Sequence, residues 1–229
     1  MTTDLVLTPE QRRILAHPRL LIIDFEMTCG PGVTPGAQDI IEVGMCVLDR
    51  EVLVQASDAV SVYVRPVRSQ ITPFCEKLTG ITAARVAGEP TFPEVAPALR
   101  AFAQQAGAGA WVAWGDDYNV LHRQCVGAGV ESPFEGIEFI DARKPLTSLI
   151  YAATGLPRPK GSAAGVGVAT ATKALGLEFE GRAHSGAFDA FNTARVLQEL
   201  QRLTGYKDAP CDAWRTLPAM PHQAPASGG

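Results

Sequence analysis

Leu20-Leu21-Ile22-Ile23-Asp24-Phe25-Glu26 is an apolar run that ends by presenting two acids. Strand side chains alternate with a period of two, so on a strand Asp24 and Glu26 point to one side. Like charges held close together are costly unless something positive lies between them. The simplest neutraliser is a hard divalent cation, Mg²⁺ or Mn²⁺, bound by carboxylate oxygens. A strand that runs into a turn or a helix cap is the competing reading, and one acid alone would mean no more than that.

Working outward, residues 40–49 are rich in Ile and Val and read as a second strand. Residues 55–64 carry the alternating Val60, Val62 and Val64 and read as a third, closed by Pro66. Three strands in succession predict an antiparallel meander. Helices then alternate with short strands. A helix opens at Thr91 with Val95, Leu99 and Phe102 on one face, and a strand covers 110–113. A helix carries Val120, Leu121 and Cys125, and a brief strand at 139–140 ends at Asp141. Helices over 143–153, 169–175 and 188–203 follow. This order predicts an α/β fold with a mixed sheet flanked by helices. Residues 155–167, rich in Pro and Gly, read as a mobile loop. Residues 1–18 read as a lead-in, 19–205 as one domain and 206–229 as a flexible tail.

A chain of 229 residues, 46% apolar, is long enough for one full core and is not a disordered chain. No apolar run approaches the length that spans a bilayer. Residues 1–10 carry acids and lack the basic and apolar regions of a signal peptide, so the expected compartment is cytoplasmic. The five cysteines (29, 46, 75, 125 and 211) are odd in number and never in a Cys-x-x-Cys pair, which argues for reduced thiols. A net charge of −4 argues against a dedicated duplex binder. It leaves room for an enzyme that holds a few nucleotides at a strand end, where bound metal supplies positive charge. Arg143, Lys144 and Arg182 are among the basic residues available locally, with solvated surface charge as the plain reading of each. The Gly-rich stretches at 30–36 and 161–167 lack the Gly-Lys-Ser/Thr end of a phosphate-binding loop.

His184-Ser185-Gly186-Ala187-Phe188-Asp189 places a His five residues before an Asp at the start of the long helix. A cap for the Asp and a surface role for the His are the plain readings. Taken with Asp24, Glu26 and an acid from Asp116-Asp117, they fit one chemistry. Two-metal phosphodiester hydrolysis clamps the attacking and leaving oxygens between two ions. It needs carboxylates to hold the ions and a base of near-neutral pKa, which His supplies.

Asp-Phe-Glu-Met-Thr-Cys (24–29), Trp-Gly-Asp-Asp (114–117) and His184-x4-Asp189 together resemble the DEDDh 3′–5′ exonucleases of the DnaQ-like, ribonuclease H-like superfamily. Three further stretches are similar to its Eri-type branch, which includes the 3′ histone mRNA exonuclease. They are Phe74-Cys75-Glu76-Lys77-Leu78-Thr79-Gly80-Ile81-Thr82, Gln124-Cys125, and Gly181-Arg182-Ala183-His184-Ser185-Gly186. The resemblance implies release of 5′-mononucleotides from the 3′ end of single-stranded RNA, or of DNA. It implies two Mg²⁺ or Mn²⁺ ions on Asp24, Glu26, Asp189 and a middle acid, with His184 as base. It also implies contacts of Met27, Thr28 and Leu78 with the terminal nucleotide. Counting back from Gln124-Cys125 gives Asp116 as the middle acid, while the apolar spacing to Val120 and Leu121 gives Asp117. The Eri-type count is the one preferred here. A nuclease fold that binds nucleic acid without cutting it is the reading of another class. No stable protein partner is legible.

Overall fold

The computed structural model describes residues 5–55 and 58–205. The predicted tail, 206–229, lies outside the described residues. β1 (Arg19–Met27) is the middle strand of a five-stranded sheet. β2 (Ile40–Asp49) pairs with it antiparallel, and β3 (Ala59–Tyr63) pairs antiparallel with β2. On the other side β4 (Ala110–Ala113) runs parallel to β1, and β5 (Glu138–Asp141) runs parallel to β4. The sheet order β3-β2-β1-β4-β5 is the mixed sheet the pattern predicts.

The helices are α1 (Pro9–Ala16), α2 (Pro73–Thr79), α3 (Ala83–Val86), α4 (Phe92–Ala106), α5 (Asp117–Ala128), α6 (Arg143–Thr154), α7 (Val168–Ala174) and α8 (Gly186–Leu203). The two faces of β1 bury different cores. Leu20 and Ile22 join Cys46 and Leu48 of β2 under α1, α6, α7 and α8. Leu21, Ile23 and Phe25 face the opposite way, against α4 and α5. Asp24 and Glu26 continue the Leu20-Ile22 face, so the strand changes from apolar to acidic where it leaves the body of the first core.

Three expectations change. The lead-in is part of the first core. Thr8 caps α1 in a capping box with Gln11, and Ile14 and Leu15 are fully buried. Backbone carbonyls tie the helix in, with Gln201 Nε2 donating to Leu15 O at 3.2 Å. β3 starts at 59 rather than 55, and Asp58, just before it, accepts the Gln55 amide at 2.8 Å. The loop predicted mobile is pinned at its second half. Trp114 Nε1 donates to Val166 O at 2.7 Å, and Val166 N donates to Thr147 Oγ1 at 3.1 Å. No helix among the described residues is long and apolar enough to cross a membrane.

Candidate active site

β1 and β4 stay paired only as far as Ile22 and Val112. Beyond that point the parallel strands separate, and a cleft opens at their carboxyl ends, where ligands bind in open α/β sheets. Its volume is about 430 Å³, and Asp24, Glu26, Asp117, His184 and Asp189 all line it. Two larger hollows, of about 650 and 600 Å³, lie elsewhere. In the first, Glu180 and Glu199 are paired with Arg195 and Arg202; the second is walled by aromatic residues. Asp24, Glu26, Asp117 and Asp189 are gathered in the smaller cleft.

The position of each acid has a local cause. Separation of β4 frees the Phe25 amide, which donates to Asp117 Oδ1 at 3.1 Å. Asp117 therefore comes to β1 between Asp24 and Glu26. Asp189 lies in the first turn of α8, and its Oδ2 accepts the His184 amide at 2.7 Å. That bond bends the chain back, and His184 takes a left-handed φ of 60°, unusual for a residue with a side chain. Ligand atoms of Glu26, His184 and Asp189 lie within 4.8 Å of one another.

Burial and crowding leave these acids reluctant to ionise. Burial, then Asp117, Glu26 and Asp189, hold the Asp24 carboxyl well above the usual carboxylate range. Burial, then Glu42 and Asp189, push Glu26 up to about 8, against an opposing pull from Arg182. Burial pushes Asp117 up to about 6, offset in part by the Phe25 amide. Asp189 is likewise pushed by burial to about 6, offset by the His184 amide. A cluster of buried oxygens that repel one another is the donor set a hard divalent cation satisfies. The residues fit Mg²⁺ or Mn²⁺.

Of the two candidates for the middle acid, Asp117 is the one that bonds to β1, and Asp116, the preferred one, does not. Its side chain is 67% exposed, bonded to Asn119 Nδ2 and 3.7 Å from Arg123. It sits one residue before α5 and also lines the cleft, while Asp117 is the acid bonded to the Phe25 amide of β1.

The sequence pattern of the RNase T exonuclease family matches residues 21–197. The chain belongs to the exonuclease family. The 3′–5′ exoribonuclease 1 of Homo sapiens is 29% identical over 190 residues, 77% of this chain and 50% of that protein. ERI1 exoribonuclease 3 of Mus musculus is 31% identical over 192 residues, 79% of this chain and 52% of that one. The chain thus spans about half the length of the curated relatives it matches. Among solved structures, the nuclease domain of 3′hExo, a DEDDh family member bound to rAMP, superposes with a TM-score of 0.65 at 27% identity. The match covers 81% of this chain and 93% of that domain. The ribonuclease H-like fold predicted from the motif order is the fold of this chain.

The chain has a buried acid that sequence reasoning passed over. Glu42 is opposite Glu26 in the β1–β2 register and only 1% exposed. Its Oε2 accepts the Gly186 amide at 3.0 Å and its Oε1 the Ala187 amide at 3.3 Å, and Ser61 Oγ also donates to it. Ser185 makes no side-chain cap, so Glu42 caps α8 from another strand. Gly44, two residues on, lets the helix approach: a Cβ there would lie 1.8 Å from the Gly186 carbonyl carbon. The available signal was an acid on the same face as Gly44 inside an apolar strand.

The expected nucleotide contacts divide. Met27 lines the cleft. Thr28 does not offer its side chain there. It is fully buried, its hydroxyl lies 2.6 Å from Ser69 Oγ, and it accepts the Asp39 amide at 2.8 Å. Leu78 is half-buried and is not among the residues that line the cleft. Its carbonyl and that of Lys77 accept from Arg182 at 3.3 and 2.8 Å, which fastens the His184 loop to the end of α2. Gly80 leaves room for that guanidinium.

Proposed function

We propose that the chain is a metal-dependent 3′–5′ exonuclease that removes 5′-mononucleotides from single-stranded RNA. The observation that carries this reading is the meeting of Asp24, Glu26, Asp117, Asp189 and His184 in one cleft. The names of the relatives, exoribonucleases, support RNA as the substrate class. Two Mg²⁺ or Mn²⁺ ions, when bound, would supply positive charge to the attacking and leaving oxygens of an in-line displacement. Asp24, Glu26, Asp117 and Asp189 are the residues that would hold them. His184, exposed on a loop fastened at both ends, takes the proton of the attacking water. Met27 packs against the terminal nucleotide.

The test is a time course on 5′-labelled single-stranded RNA with a 3′-hydroxyl, beside the matched DNA, in Mg²⁺. The expected result is RNA shortened nucleotide by nucleotide from its 3′ end, with loss of the reaction in His184→Ala. Intact RNA throughout overturns the reading. Equal decay of both strands moves the substrate to single-stranded nucleic acid in general.

A further inference from the structure

Arg143 is the one lysine or arginine among the described residues that line the acidic cleft. Its surroundings do not explain why it is there. It is the first residue of α6, Lys144 follows it, and no acid lies in that first turn. The positive end of the helix dipole opposes cations at this place. Asp141 accepts the Arg143 amide at 2.9 Å and so caps the helix without engaging the guanidinium. The Nε atom is buried and has no hydrogen-bond partner among the described residues. Asp116, which lines the same cleft, is 3.7 Å from Arg123 instead.

The backbone is shaped around this side chain all the same. Gly165 adopts a φ of 102°, and a Cβ there would lie 2.6 Å from Arg143 Cγ and 3.1 Å from its carbonyl oxygen. The missing side chain gives the arginine stem its room. At the far end, a Cβ on Gly115 would lie 4.0 Å from Arg143 Nη1 and 3.9 Å from Asp117 Oδ2. The guanidinium therefore reaches the rim of the acid cluster. A buried donor without a partner, on a residue set against its helix dipole, is a local conflict of the kind expected where a ligand completes the structure.

We infer that Arg143 binds a phosphodiester group of the nucleic-acid strand. A guanidinium presents a planar fork of donors that matches two phosphate oxygens, and it stays charged when desolvated. An acidic cleft that receives a polyanion gains most from a cation at its rim. The inference rests on the cleft being the nuclease site proposed above.

Fluorescence anisotropy with a short single-stranded RNA tests it, using Ca²⁺ in place of Mg²⁺ so that binding is read without turnover. Titrations run across a range of salt on the native chain, Arg143→Gln and Arg143→Lys. Arg143→Gln is expected to weaken binding about tenfold. The slope of log affinity against log salt should fall by about 0.7, the share of one phosphate contact on a single strand. Arg143→Lys keeps the stem that packs on Gly165; it should restore the slope and only part of the affinity. A structural role would leave the slope unchanged. The inference is overturned if native and folded Arg143→Gln chains bind with one slope, even while RNA is cleaved. If the native chain binds neither RNA nor the matched DNA, the inference falls together with the reading beneath it.

Discussion

At the scale of single residues, the site is defined by carboxyls that would rather be neutral. Burial raises Glu26 to about 8 and Asp117 and Asp189 to about 6. In an unfolded chain such groups titrate near 4. Between those limits the ion-free folded state binds more protons than the unfolded state, so stability falls as pH rises. His17, lowered by burial, works the other way over the acid side of this window. Melting in chelator is expected to be highest near pH 5 and to drop as pH rises from about 6 to about 8. Saturating Mn²⁺ should remove the drop, because the ion replaces the protons. A chelated protein that gains stability over the same range contradicts the cluster. Thr28 tests the role of a neighbour. Thr28→Val should cost about 1–3 kcal/mol in urea unfolding, since the Asp39 amide loses its buried acceptor. The KM for RNA should stay close to native; a large rise in KM with unchanged stability would restore Thr28 as a nucleotide contact.

At the scale of elements, β2 sets where α8 begins. The sequence places the helix start at Phe188, but the helix starts at Gly186, because Glu42 accepts the Gly186 and Ala187 amides across the fold. A cap supplied by another strand leaves no local mark. The Asp116–Asp117 ambiguity has the same origin: the choice rests on the Phe25 amide, distant in the chain. β2 itself was legible to its ends, because a mostly apolar stretch rich in Ile and Val marks a buried strand without outside help. Glu42→Gln puts an amide NH₂ where an acceptor is needed. It should lower kcat roughly 10–100-fold by displacing Asp189 and His184, while KM changes little. Native kcat in the folded variant would show that the cap does not position the site. Gly44→Ala meets the Gly186 backbone directly and should cost about 1–3 kcal/mol or more in urea unfolding. An unchanged midpoint would mean the close approach is not needed.

At the scale of the whole molecule, the mixed sheet and its helices followed from the order of periodic segments. So did the pairing of Asp24-x-Glu26 with His184-x4-Asp189 into one site. The packed lead-in was hidden, because Ile14 and Leu15 look like any short amphipathic turn until α6 and α8 close over them. The central claim is that Asp24, Glu26, Asp117 and Asp189 hold two ions. Calorimetric titration with Mn²⁺ of the native chain, Asp117→Asn and Asp116→Asn measures this most directly. The account predicts two ions bound by the native and Asp116→Asn proteins, and loss of that binding in folded Asp117→Asn. Native-like binding in Asp117→Asn, or no binding by the native chain, would contradict it.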